Sequence, residues 1–152
     1  MYDSLLSQGY PALFAVSFLA STLVPLGSEW LLAAMLLNRS DPPMTVAVAT
    51  LGNTLGACTT WVIGVYGSPL LIRRILRIDA AAEASAVRFY RRYGVWSLLL
   101  SWLPVVGDPL CLVGGLLRVG FVRFLALVFA GKLARYGTLA WLTLGGMEMF
   151  GR

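Results

Sequence analysis

The sequence predicts an all-α integral membrane protein. Two re-entrant helical hairpins and two transmembrane helices form an inverted-topology repeat, with a central amphipathic surface helix. Three observations predict it. Apolar residues make up 59% of the 152-residue chain and charged residues only 12%, with a mean hydropathy of +0.79, against about 25% charged in an ordinary soluble domain. Two apolar blocks are broken in the middle by proline, glycine and a carboxylate. Those breaks recur at a fixed offset of 79 residues.

So much apolar surface exceeds what one water-exposed core of this length can bury, and the surplus must face lipid. The net charge is +5, but the basic residues are not spread as a nucleic-acid footprint. Arg73, Arg74, Arg77, Arg88, Arg91 and Arg92 crowd between two apolar blocks, the mark of a cytoplasmic loop, and no nucleic-acid partner is expected. Cys58 and Cys111 lie inside apolar segments and the chain lacks histidine, so no metal site, disulfide or cofactor is read from them. The start, Met1 to Ser4, carries no basic leader. No cleavable signal peptide is expected, and the first apolar segment directs insertion.

The chain reads as a single membrane domain, with a first half over 10–66, an amphipathic linker over 68–93 and a second half over 94–146. Its four apolar blocks cover about 10–37, 44–66, 94–117 and 121–146. The first is interrupted by Pro25-Leu26-Gly27-Ser28-Glu29. Arms of about 14 and about 8 residues remain, each too short to cross a core of roughly 30 Å. Such a break is tolerated at membrane depth where the backbone lines a protected or wet cavity. A re-entrant hairpin with Pro25 and Gly27 at its tip follows, the alternative being a kinked helix that crosses in full. Block 44–66 carries no formal charge and reaches about 35 Å as a helix, enough to span.

In the linker, Leu71, Ile75, Ile78, Ala82, Phe89 and Tyr93 recur at helical steps while the arginines fall elsewhere, and Asp79 is placed to cap a helix beginning at Ala80. This predicts an amphipathic helix or helix pair on the membrane surface, apolar side down and arginines toward anionic headgroups. The third block is broken by Pro104-Val105-Val106-Gly107-Asp108-Pro109, a second hairpin tip. The fourth carries Lys132 and Arg135 in its middle.

The 79-residue offset relates Pro25 to Pro104, Glu29 to Asp108, and Gly52-Asn53 to Gly131-Lys132. A half with one hairpin and one crossing passes through the bilayer an odd number of times, so the second half starts on the opposite side. With the linker inside, eight arginines lie inside and two outside, and the four-span alternative gives seven and three. Both obey the positive-inside rule.

Glu29, Asp108, Lys132 and Arg135 fall within the hydrocarbon region, where an unpaired charge costs at least a few kcal/mol. Lys132 and Arg135 are three residues apart and share a helix face. That face is expected to meet Glu29 and Asp108, with Asn53 completing a polar centre. Two roles fit this centre. It is a static ion-pair network that fixes packing, or it is a transport centre in which carboxylates exchange protons and cations hold an anionic headgroup. Gly52 and Gly56 form a close-packing GxxxG pattern, used within the chain or between two copies as a homo-oligomer. No catalytic residues are assigned, because neither Ser28 nor Cys111 has a base to activate it.

The stretch from Leu99 to Arg118, with Pro25 to Trp30 and Gly52 to Gly56, resembles the small YqaA-type branch of the DedA family, whose common unit is the VTT or SNARE-associated Golgi protein domain. The resemblance implies two re-entrant hairpins, multi-pass residence in the bacterial inner membrane, and movement of lipids such as an anionic phospholipid or polyprenyl phosphate between leaflets, coupled to protons in some members. Glu29 matches the acidic position of the family's first tip. The second tip departs from the Arg-Phe-x-Pro-Gly-x-Arg pattern of better-studied members. Trp102-Leu103-Pro104 replaces the first arginine, and Val105 to Asp108 lacks the second. Lys132 and Arg135 are then the cations left to take an anion. The expected function is a transporter or lipid flippase/scramblase-like protein. The alternative is a non-transporting membrane protein that supports envelope homeostasis or assembly.

Overall fold

A computed structural model describes residues 2–21, 28–38, 40–67, 80–103 and 106–150. These form α1 (Tyr2–Ala20), α2 (Ser28–Leu37), α3 (Pro42–Tyr66), α4 (Ala80–Tyr93), a 3₁₀ segment (Gly94–Trp102), α5 (Gly107–Leu116) and α6 (Phe121–Phe150). The described residues are all-helical, without strands. Helix α3 is started by Asp41, whose side chain accepts from the Met44 amide at 3.0 Å, with proline in the first turn. Its 25 residues extend about 37 Å. Among the described residues it is the one helix long and apolar enough to cross a membrane. Helix α6 has 30 residues, with Lys132 and Arg135 in its middle.

The 79-residue offset extends beyond the sequence motifs. Shifted by 79, α2 falls on α5 from end to end, and the start of α3 falls on the start of α6. The turns repeat as well. Ser40 N donates to Met35 O at 3.1 Å, and Val119 N to Gly114 O at 2.9 Å. Asn38 N donates to Ala34 O at 3.1 Å, and Leu117 N to Val113 O at 2.9 Å. This is the helix-ending turn that needs a left-handed residue. Arg118 takes that role in the second half with φ +50°.

Packing pairs the elements in a crossed pattern. Helix α1 lies along α3, and the 3₁₀ segment lies along α6, while α2 packs on α6 and α5 on α3. Glycines allow the close approaches. A Cβ on Gly52 would sit 2.5 Å from the Phe14 carbonyl oxygen, and one on Gly131 would sit 2.7 Å from that of Leu99. The GxxxG pair therefore serves packing within the chain, against α1. The two glycines are 79 residues apart and do the same work in each half.

Two apolar clusters form the core. Leu13, Leu32, Met35, Leu36, Ala49, Tyr136 and Ala140 make one, and the other includes Ala57, Leu98, Leu110, Cys111, Phe124 and Val128. Between them lies a polar layer. Asn53 is one turn from both Ala49 and Ala57, and Lys132 is one turn from both Val128 and Tyr136. Serines and threonines of α1 and α3 also turn inward, while Trp30 (80% exposed), Val122 (79%) and Trp141 (73%) point out. Polar inside and apolar outside is the arrangement of a protein solvated by lipid.

Helix α4 begins at Ala80, as expected; Asp79, its proposed cap, lies outside the described residues. Of the apolar side expected to lie on the bilayer, Phe89 packs on the second cluster beside Val87, Tyr90 and the fully buried Ala86, Tyr93 is 47% exposed, and Leu71, Ile75, Ile78 and the Ala82 side chain lie outside the described residues. Helix α4 packs against α5 and the 3₁₀ segment. Arg88, Arg91 and Arg92 remain exposed, with Arg92 stacked 5.4 Å above the Tyr93 ring. Arg73, Arg74 and Arg77 lie outside the described residues, as do Pro25, Gly27 and Pro104 of the hairpin tips. Gly107 and Pro109 sit in the first turn of α5.

Candidate functional site

Glu29 is the second residue of α2 and Asp108 the second of α5. A carboxylate in the first helical turn complements the positive end of the helix dipole. Both acids thus occupy the same place on equivalent short helices, and both face α6. Lys132 stands about 17 Å along α6 and Asn53 the same distance along α3, near half the thickness of a bilayer core.

The two cations of α6 diverge to different acids. Lys132 Nζ lies 3.5 Å from Asp108 Oδ1 and donates to Ser21 Oγ at 3.1 Å and to Asn53 Oδ1. Ser21 Oγ donates in turn to Asp108 Oδ1 at 2.9 Å. Asn53 is oriented by its own amide, which donates to the Ser17 carbonyl at 3.0 Å. Lys132 is only 2% exposed. A buried ammonium in that position is stable because oxygen replaces the water it has lost.

Arg135 makes the second pair. Its guanidinium binds Glu29 and donates to the Trp102 carbonyl at 3.1 Å. Glu29, Trp102, Ala134, Arg135, Thr138 and Leu139 line a groove of about 360 Å³ on the outer surface. Between the two pairs lies a cavity of about 10 Å³, room for roughly one water. Ser28, Asn53, Ser101, Asp108, Lys132 and Arg135 border it, and the Ser101 hydroxyl, 2% exposed, has no hydrogen-bond partner among the described residues. Ser28 Oγ and Tyr136 Oη are hydrogen-bonded at 2.8 Å, tying α2 to α6.

The residues singled out by sequence therefore meet: Asn53, Asp108 and Lys132 in one cluster, Glu29 and Arg135 in its neighbour. Sequence reasoning did not single out Ser17, Ser21, Ser101 or Tyr136. The signal available for two of them was spacing, since Ser17 and Ser21 are one helical turn apart on the face of α1 that meets α3. Nothing in the local sequence distinguishes Ser101 or Tyr136 from their neighbours.

A family model described as the VTT domain matches residues 24–145. Inner membrane protein YqaA of Escherichia coli is 41% identical over 137 residues, covering 90% of this chain and 92% of that protein. An uncharacterized protein of Haemophilus influenzae is 36% identical over 86% of this chain and 85% of its own length. An uncharacterized protein of Methanocaldococcus jannaschii is 24% identical over 85% and 80%, respectively. No solved structure matches the chain. The family match takes in both broken segments and all four charges of the site, and the chain belongs to the DedA family of VTT-domain proteins, on its YqaA-type branch.

Proposed function

We propose that this chain is a multi-pass protein of the bacterial inner membrane that moves an anionic lipid between leaflets, with Glu29 and Asp108 exchanging protons as their cationic partners come and go. The observation that carries the reading is the pair of acid–cation contacts, Asp108–Lys132 between the two apolar clusters and Glu29–Arg135 beside it on the groove, each acid on the first turn of a short helix. An ionisable group at this depth marks a transport path by default. The shared 79-residue offset of helices, turns and glycine contacts supports an inverted repeat, the architecture on which alternating access is built. The groove beside Arg135 supports lipid as cargo, since it is open and mostly apolar and its lining carries a guanidinium, paired with Glu29, that can hold an anionic headgroup when that pair opens. The chain acts without covalent chemistry on its substrate in this reading.

A second reading, a static scaffold, is favoured by the complete set of partners around Lys132. Reconstitution into liposomes with a fluorescent anionic phospholipid or polyprenyl phosphate separates the two. Glu29→Gln and Asp108→Asn should each slow movement at least about tenfold, a barrier change of roughly 1.4 kcal/mol, while the protein remains folded in detergent. Undiminished movement by both folded variants would reject the carboxylates as transport groups, and no movement by the wild type would favour the scaffold.

A further inference from the structure

We infer that Ser21, Asn53 and Asp108 form a binding site for a monovalent cation, which this chain fills with the ammonium of its own Lys132 in place of a free coupling ion. The geometry stands on its own; the statement about coupling rests on the transport reading above.

An ammonium has three N–H donors, and each here faces an oxygen of a different kind: the Ser21 hydroxyl, the Asn53 amide carbonyl and the Asp108 carboxylate. The three ligands come from three separate elements: the end of α1, the middle of α3 and the first turn of α5. An ion pair alone needs only Asp108. The two neutral oxygens are positioned by bonds of their own. The Asn53 amide nitrogen is anchored on the Ser17 carbonyl, which turns the Asn53 oxygen toward Nζ. The Ser21 hydroxyl spends its proton on Asp108 and presents a lone pair to Nζ. A shell of hydroxyl, amide and carboxylate oxygens with a single negative charge is the donor set of a hard cation. Its place, where broken segments meet, is where transporters coordinate sodium. The Ser101 hydroxyl, without a hydrogen-bond partner among the described residues, borders the same small cavity as Lys132. The repeat divides the labour. Asn53 and Lys132 occupy the same position 79 residues apart, and one supplies an oxygen while the other supplies the cation.

Removing the ammonium should leave a vacancy that a free small cation occupies. The test is thermal unfolding of the purified full chain in sodium, potassium, methylammonium and choline chlorides at equal ionic strength. Wild type should unfold at one temperature in all four. Lys132→Ala should unfold earlier in choline and regain about 3–6 °C in sodium or methylammonium at ten times the Kd. The double variant Lys132→Ala/Asp108→Asn should show no cation preference. The inference is overturned by a Lys132→Ala protein indifferent to the cation, by one that folds in none of the salts, or by a wild type that itself prefers sodium to choline. The coupling statement is tested separately in liposomes. Wild-type lipid movement should continue with sodium replaced by choline, and movement that stops there overturns the coupling statement alone. No lipid movement in any cation overturns the transport reading and leaves the unfolding result standing.

Discussion

At the scale of single residues, what matters is how closely two backbones approach. Gly52 and Gly137 are both helical glycines, yet a methyl on Gly52 would meet the Phe14 carbonyl at 2.5 Å while one on Gly137 meets nothing within 4 Å. Gly52→Ala should therefore destabilise the protein by about 1–3 kcal/mol, since backbone on both sides must shift. Gly137→Ala should be neutral or stabilising by up to about 1 kcal/mol, by helix propensity alone. Thermal unfolding in detergent checks both, and equal effects would show that the seam between α1 and α3 is softer than it looks. The charged members of the site were legible because an acid or base inside an apolar run is rare and must find a partner. Which partner was not legible. Lys132 and Arg135 share a face by sequence, and only the placement of α2 and α5 sends one to Asp108 and the other to Glu29. Ser21 and Tyr136 were invisible for the opposite reason, since a hydroxyl is unremarkable in such a helix until its neighbour is known.

At the scale of elements, the two halves agree in register and in the ten-residue length of α2 and α5, and differ in their long helices, 25 against 30 residues, and in their opening arms. The first half opens with the α-helix α1, whereas the second opens with nine residues of 3₁₀ helix from Gly94 to Trp102. A 3₁₀ run of that length is uncommon and stretches the arm to about 18 Å, where an α-helix would give about 14 Å. Gly94, at φ +60° with open space around it, sets the arm's direction as it leaves α4. Gly94→Ala should cost about 1–2 kcal/mol through the backbone conformation alone. Gly94→Asn, which tolerates the left-handed region better, should cost less. Unfolding of the two variants compares them directly, and an alanine as stable as the asparagine would mean that the turn relaxes. The apolar blocks and their breaks gave the helices and most of their ends. The 3₁₀ geometry had no counterpart in periodicity, because it is decided by what packs against the element.

At the scale of the whole molecule, the crossed packing has consequences for orientation and for assembly. The inverted repeat proposed above would put both termini on one side and the linker on the other. Accessibility labels at the N-terminus, near residues 78–82 and at the C-terminus should report both ends outside and the linker inside. Labels that place all three inside would make the chain a four-span bundle of kinked helices and would remove the main support for alternating access. Crossed packing also means that neither half completes its own core, because α2 rests on α6 and α5 on α3. Ser28 and its hydrogen-bonded partner Tyr136 are 108 residues apart. At about 5–20 residues per second of synthesis, α2 waits roughly 5–20 s for the helix that takes its carboxylate. Through that interval Glu29 is in the nascent chain without its arginine, so the first half must be held by the insertion machinery or stay at the interface until α6 emerges. Truncations ending before Arg135 should accordingly be cleared by membrane proteases rather than accumulate as half-proteins.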